Sequence, residues 1–566
     1  MKSRLCVWIC LLVFSPAIFA QQLNPSDRAA TEAAMKTIRG DAIRAHMRFL
    51  SDSLLEGRAP DSRGYQIAAR YVATELEAMG LRPGGLNGTW FQPVPLRKAV
   101  LDTSKSSLLL VANGPGANNK EQKLVDGQDY VLTGDVTHAE NKLEAPIIFV
   151  GFGVTAPEAN YDDYSGIDVH GKIVLTFYGA PPHFSSTVRA YYSDDIVKTK
   201  NAMAHGAVAM LTTLLPEDWK RWPWDWDVPQ FRMGSTNWLD KSATPHDAFP
   251  FGGLAQFSQT GAALLFANAP KSLEEAFATA RLSQSQPFSL PWTARIHTVS
   301  TQTTYESPNI IGEVVGSDPV LRDQYVVYTA HVDHLGICPP IDGDNVCHGT
   351  LDNASGVSTL LEIARAYASL PRPPRRSVLF VFVTGEEMGL LGSDYFAQAP
   401  TVPLNRIVAN VNIDGAPGLL FPMKDAVAMG DEHSSIDKDA ESAAREIGYT
   451  LIPDPKPEEG DFIRSDQYSF VQQGVPAVNI SDGITSTDPK IDGLAVEKKW
   501  LVTRYHTPLD NMDQPLDYES AAKAAGLNLL VGYEIAQRDQ PPEWNQGDFF
   551  GRKFGSRHSG STSTGN

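Results

Sequence analysis

Six residues of this chain, His331, Asp352, Glu386, Glu387, Asp414 and His506, have the types that two-metal hydrolysis requires. Four of them stand where an apolar run stops. QYVVYTAHVDHLG is apolar up to Ala330 and then offers His331 and Asp333. RSVLFVFVTGEEMGLLGS is apolar up to Val383 and then offers Glu386 and Glu387, and RIVANVNIDGAPG ends its run at Asp414. Continuous apolar runs bounded by glycine or polar residues predict buried parallel strands. Open parallel sheets gather ligands at their strands' carboxyl ends, so the candidate site is placed by pattern alone.

Imidazole and carboxylate are zinc donors, and a catalytic zinc keeps one position open. The set divides into His331, Asp414 and Asp352 around one ion and His506, Glu387 and Asp352 around another, with Asp352 and a water or hydroxide shared. Three carboxylates and a hydroxide carry four negative charges, which two dications neutralise. Without metal, carboxylates a few ångströms apart repel by about 4 kcal/mol per pair at an effective dielectric near 20. Each motif alone has a plainer reading. LDNASG also fits a turn with Asp352 capping a helix, Glu386–Glu387 also fits a solvated helix start, and His506 in RYHTPLDN also fits a surface loop. Their joint, ordered occurrence at strand ends favours the metal site. His334 and His348 are read as loop residues.

The elements that must hold these residues make two regions. A chain of 566 residues is too long for one core. From Tyr305 to Arg538 predicted strands alternate with helices, the pattern of a mostly parallel α/β sheet, and SGVSTLLEIARAYASL reads as an amphipathic helix directly after Asp352. Near the start, GYQIAARYVATELEAMG places Ile67, Ala68, Tyr71, Val72, Leu76 and Met79 on one helical stripe that stops at Gly80. Residues 111–291 have a different texture, with short strands in APIIFVGFG, GKIVLTFYG and GAVAMLTT and no His/Asp/Glu set at ligand spacing. They read as a smaller β-rich domain inserted into a discontinuous one formed by 24–110 and 292–540. Within the insertion Trp219, Trp222, Trp224 and Trp226 cluster. They are read as an aromatic patch packed under its own loop, with a substrate-facing lid as the alternative. The Gly/Ser-rich tail, 549–566, reads as disordered.

Residues 1–20, with Lys2 and Arg4 before an apolar core and then small residues, read as a signal peptide. No later segment has the length and apolarity to span a membrane, so no membrane anchor is expected and the product is placed in the periplasm or outside the cell. A net charge of −18 argues against nucleic acid or anionic membrane as a partner. Removing the first segment leaves Cys338 and Cys347, an even pair in an oxidising compartment and hence a predicted disulfide. A cysteine metal site, the competing reading, lacks C-x-x-C spacing.

The ordered motifs TAHVDHLG, GTLDNASGVSTLLEIAR, VTGEEMGLLGS, VNIDG, RSDQYSF with GVPAV, and RYHTPLDN resemble the M28 family of di-zinc aminopeptidases. The opening helices look like that family's, and FVGFGV, YDDYSGIDVHGKIVLTFYG and NAMAHGAVAMLTT are similar to the protease-associated (PA) domain inserted in many members. The resemblance implies a zinc-peptidase fold and two zinc ions held by His331, Asp352, Glu387, Asp414 and His506, with Asp352 bridging. It implies Glu386 as general base, Tyr505 as oxyanion stabiliser, Asp333 orienting His331, and Arg464 contacting substrate. Gln467 stands where the family often has histidine, which puts fine substrate contacts in question. The expected activity is N-terminal peptide-bond hydrolysis through a two-zinc bridging hydroxide. Carboxypeptidase-type hydrolysis, glutaminyl cyclisation on the same scaffold and a non-catalytic receptor-like protein are the alternatives. The expected partner is a peptide substrate; oligomeric state is not legible.

Overall fold

The computed structural model describes residues 23–559 apart from 114–119, 248, 250, 252, 253, 285 and 458. The predicted signal peptide and residues 560–566 lie outside the described residues.

The fold is mixed α/β, built on a large, mostly parallel sheet flanked by helices. Strand Tyr325–His331 pairs in parallel with Ser377–Val383 on one side and Ile407–Asn412 on the other, and Ile407–Asn412 pairs in parallel with Ala477–Asp482. Antiparallel strands close both flanks: Asp425–Met429 beside Ala477–Asp482, and the long strand Phe288–Val314 beside Ser377–Val383. Every residue of Ser377–Val383 is buried. Alternation along the strand explains why. Val378, Phe380 and Phe382 join one apolar core, while Leu379, Val381 and Val383 join another on the opposite face with Phe396 and Phe470.

The helix Arg63–Ala78 ends before Gly80, whose φ of 81° suits a glycine after a helix end. Its buried face centres on Tyr65, Ala68, Val72 and Leu76, while Ile67, Tyr71 and Met79 sit at the rim. Helix Gly356–Ser369 departs from its amphipathic reading. It is buried almost throughout, because helices Gly40–Leu50 and Tyr518–Gln537 cover the side expected to face solvent.

Residues 107–299 carry a second sheet with its own apolar core. Ile173–Phe177 is flanked in parallel by Glu140–Phe149 and Ala209–Thr213, and the latter by Leu254–Phe257. The two sheets share one strand. Phe288–Val314 runs for 27 residues, pairing with Ser107–Ala112 and Glu140–Phe149 in its first half and with Phe91–Leu101 through residues 300–310. The expected junctions at 110/111 and 291/292 therefore fall inside strands. The second region also lends Ser235–Trp238 to the first sheet as an edge strand against Phe91–Leu101.

The tail requires a correction. Phe549–Ser559 is a helix, and Phe550 and Phe554 are buried against Ile463, Tyr468 and Val471. Two aromatic residues four apart find an apolar surface here that the Gly/Ser-rich composition did not signal.

Candidate active site

Three of the parallel strands deliver residues at their carboxyl ends. His331 closes Tyr325–His331, Glu386 and Glu387 follow Ser377–Val383, and Asp414 follows Ile407–Asn412. Asp352 lies in the turn Thr350–Ser355 that leads into Gly356–Ser369, and His506 follows helix Gly493–Thr503. The structure brings all six together. His331 Nε2 lies 3.3 Å from Asp352 Oδ1 and 3.3 Å from Asp414 Oδ1. His506 Nε2 lies 3.2 Å from Asp352 Oδ2 and 3.1 Å from Glu387 Oε2. The two oxygens of Asp352 thus face two different histidines. Glu386 Oε2 stands 3.9 Å from His331 Nε2.

The donor set fits metal ions. His331, Asp352 and Asp414 offer ligand atoms within 4.8 Å of one another. His506 Nε2 is buried and, despite two carboxylates near 3 Å, makes no hydrogen bond with either. Such convergence without hydrogen-bond geometry is what a shared cation would organise. Charge points the same way. Burial alone would keep His506 neutral, but Glu387 and Asp352 push it up to about 10. Burial works against ionising Asp352 too, yet the surrounding His331, His506 and His334 imidazoles hold it well below the usual carboxylate range. The cluster draws positive charge from whatever can supply it. Glu386 behaves oppositely: burial, opposed by His331 and reinforced by Asp414, raises it well above the ordinary range.

Supporting residues fix these positions. Asp333 is fully buried, and its carboxylate accepts from the backbone N–H groups of Glu386 at 3.2 Å and Glu387 at 3.4 Å. Its main chain also meets the His331 ring. His331 Nδ1 lies 3.2 Å from the Asp333 main-chain oxygen and 3.9 Å from its carboxylate. A proton on Nδ1 leaves the Nε2 lone pair facing Asp352 and Asp414. Ser465 Oγ donates to Asp414 Oδ2 at 2.7 Å and accepts from Asn412 Nδ2 at 2.8 Å. Gln467, fully buried, also accepts from Asn412 Nδ2 at 2.8 Å, so its amide braces this network rather than lining the cavity. His506 has a φ of 57°, unusual for a residue with a Cβ. Tyr505 stacks on its ring at 3.7 Å, and burial with nearby Asp352 and Glu387 keeps the phenol protonated.

Three residues were missed or misplaced. His334, expected as a loop residue, is fully buried with Nδ1 2.5 Å from Glu387 Oε1 and 3.9 Å from Asp352 Oδ2. Its position three residues after His331 was the available signal. Arg58, which no sequence motif singled out, donates to the carbonyls of Leu50 at 2.5 Å, His348 at 2.7 Å, Val332 at 2.8 Å and Gly349 at 2.9 Å. Asp510 accepts from the N–H groups of Leu351 at 3.0 Å and Asp352 at 3.2 Å, fixing the backbone of the shared carboxylate. His348 bonds Ser51 and Asp344 and stays outside the site. Cys338 and Cys347 form a disulfide with Cα atoms 5.9 Å apart, closing the hairpin that precedes Asp352.

A cavity of about 480 Å³ opens over Asp352, Glu386 and Asp414, with Arg464, Tyr505 and Trp500 in its walls. The Trp cluster divides: Trp222 and Trp226 line this cavity, while Trp224 Nε1 donates to Gly127 O at 2.8 Å within the second region.

Comparison with known proteins agrees with this geometry. The sequence profile of peptidase family M28 matches residues 309–531. Those residues contain every member of the cluster. The chain is 26% identical over 246 residues to aminopeptidase YwaD of Bacillus subtilis, covering 43% of this chain and 47% of that protein. It is 35% identical over 113 residues to mouse aminopeptidase NAALADL1, covering 19% of this chain and 13% of that protein. The matched segments thus span less than half the length of these relatives. Among solved structures, the aminopeptidase from Aneurinibacillus sp. strain AM-1 superposes with a TM-score of 0.52 at 18% identity, covering 90% of this chain and 97% of its own. That likeness establishes the shared fold. Among the described residues, no helix is long and apolar enough to cross a membrane.

Proposed function

We propose that this chain is a member of peptidase family M28 and an exported zinc-dependent exopeptidase, an aminopeptidase that hydrolyses N-terminal peptide bonds. The observation that carries the reading is Asp352, whose two carboxylate oxygens lie 3.3 Å and 3.2 Å from the Nε2 atoms of His331 and His506. One carboxylate facing two such nitrogens supports a reading with two ion positions. His331 and Asp414 would complete one and His506 and Glu387 the other, with His334 bracing Glu387. Zinc bound there would supply a Lewis acid and ease deprotonation of the attacking water.

The rest follows from the chain's own residues. Glu386, raised well above the ordinary range by burial, is suited to take a proton from that water and return it to the leaving amine. Asp333 holds the Glu386–Glu387 turn through two backbone N–H groups, so one glutamate can face the ions while the other faces the substrate. Tyr505, kept protonated by burial, can donate to the developing oxyanion. The relatives named aminopeptidases support the choice of the amino end, and the disulfide supports an oxidising compartment.

A carboxypeptidase-type reading has one specific support, the Arg464 guanidinium in the cavity wall, because arginine recognises carboxylates. Elemental analysis of the purified chain, with assays on aminoacyl chromogenic substrates and on amino-blocked and carboxyl-blocked peptides, separates the readings. About two zinc ions per chain and cleavage abolished by amino blocking are expected. One tightly bound zinc without effect of a second favours cyclase chemistry, and loss only on carboxyl blocking favours the carboxypeptidase.

A further inference from the structure

We infer that the C-terminal helix Phe549–Ser559 is a positioning element of the active site, with Phe550 holding the short segment 461–465 that carries Arg464 to the cavity wall and Ser465 to Asp414. This rests on the ion positions of the exopeptidase reading and adds to it a part of the chain that no ligand motif marks. By itself the helix is weak. An isolated helix of 11 residues with Gly551 and Gly555 inside it is not stable in water. Packing must form it, and the packing converges on one ring.

Phe550 is fully buried. The rings of His433, Phe462 and Tyr468 meet it at 5.0, 5.5 and 6.1 Å. Phe462 also packs on Gly430 so closely that a Cβ there would run into its ring. The backbone beside Phe462 is pinned as well. Gln467 Nε2 donates to the Phe462 carbonyl at 2.7 Å, and the Arg464 N–H donates to Asp461 O at 3.1 Å. Displacing Phe462 therefore moves Ser465, whose Oγ donates to Asp414 Oδ2 at 2.7 Å. Polar anchors seat the helix at both ends. His433 Nδ1 lies 2.7 Å from Asp548 Oδ2 just before it, and Arg557 donates to Gln472 O at 2.8 Å near its end. Gly474, with a φ of 82°, lets the helix backbone close in, since a Cβ there would lie 2.7 Å from the Phe554 carbonyl oxygen. The helix also meets the second region. Lys553 Nζ lies 4.1 Å from the ring centre of Tyr191, on helix Ser186–Ser193, and Phe549 meets that ring at 5.4 Å. Ala190 of the same helix shares an apolar cluster with Ile463. One helix thus grips the cavity-wall segment and the neighbouring region together.

The test uses the full chain with Phe550→Ala, and with Phe266→Ala as a control that opens a cavity in the core of the second sheet. Hydrogen exchange over 461–465 is followed by mass spectrometry in the zinc-free protein, and zinc affinity is measured by competition with a chelator. Phe550→Ala should speed exchange over 461–465 about tenfold or more, as a local opening does. It should weaken one zinc about fivefold or more, somewhat less than the loss of a ligand's own hydrogen-bond partner. Phe266→Ala should change neither beyond about twofold, because its site is independent of the segment. Phe550→Leu, which keeps most of the bulk, should lie between the unsubstituted chain and Phe550→Ala in both measurements. It serves if Phe550→Ala fails to fold, and unsubstituted values in it then overturn the assignment. In a chain that binds zinc, either measurement on Phe550→Ala matching the Phe266→Ala control overturns it too. If the unsubstituted chain binds no zinc, the two-ion reading fails by itself. Exchange over 461–465 in the zinc-free protein then still decides whether the helix holds the segment.

Discussion

Both regions of the molecule contain parallel strands, and both therefore form a crevice where those strands end. They fill it in opposite ways. In the second sheet, the rings of Phe177, Phe266 and Phe288 surround Phe149 at 5.0 to 5.3 Å, and the buried Lys198 donates to the carbonyl of Phe177 at 2.5 Å. Rings and one cation close that end into a core. In the first sheet the equivalent ends carry His331, Glu386, Glu387 and Asp414, with Asp352 and His506 brought in from turns. Among the described residues, every group able to hold a metal lies there. Parallel topology makes the crevice; the residue types at the strand ends decide whether it becomes a core or a site.

The comparison is broken most directly at Glu386. Glu386→Gln keeps size and hydrogen bonding but removes the proton acceptor. It should lower kcat about a hundredfold or more with metal content intact. Glu387→Gln should instead lose one ion, and added zinc should partly restore activity. The reverse pattern, measured by elemental analysis beside steady-state kinetics, would exchange the two roles.

Arg58 sharpens the claim that the first crevice is braced by groups distant in sequence. Arg58→Met leaves the buried carbonyls of Leu50, Val332 and His348 without this donor, while Gly349 keeps the Ala354 N–H, at about 1–3 kcal/mol for each group that water cannot reach. Urea denaturation should show a loss of about 3 kcal/mol, and metal affinity should fall with it, because Val332, His348 and Gly349 flank the ligands. Unchanged metal affinity in a folded variant would confine Arg58 to stability.

Reducing the Cys338–Cys347 disulfide has a smaller expected effect. The residues are 9 apart, and a loop of this size gains roughly 2–3 kcal/mol in the chain-entropy model before native strain is subtracted. Reduction should raise the metal dissociation constant more than it lowers the melting temperature. Free thiols in the purified protein by mass spectrometry would remove the premise.

Lys198 supplies the converse case. Lys198→Met removes a fully buried donor from the second crevice, far from the ligands in sequence and in a separate core. It should cost about 1 kcal/mol and leave kcat within about twofold. A large fall in kcat would mean that the second region couples to the chemistry, not only to the shape of the cavity.

The ligand-type residues at strand ends were readable in the sequence for a physical reason. A buried parallel strand is a continuous apolar run, and the first polar residues after it mark the crevice. The two textures, 24–110 with 292–540 against 111–291, were visible in the same way, through strand length and turn frequency. What holds the site was not visible. Arg58 binds backbone carbonyls, which every residue possesses, so no motif marks its partners. His334 had a local signal, a histidine three residues beyond another, but its pairing with Glu387 depends on two strands lying side by side. The Gln467 amide gave no sign that it braces Asn412.

By itself, the sequence determined which residues could bind metal, on which elements they lie, and that two regions differ in texture. Only the tertiary structure decided that Asp352 faces both histidines, that one strand serves two sheets, that Phe550 and Phe554 dock the tail, and that Trp222 and Trp226 enter a cavity formed by the other region. Periodicity and composition act over neighbouring residues and are written in the chain. Contacts between residues hundreds of positions apart arise only when cores close and side chains compete for the same space.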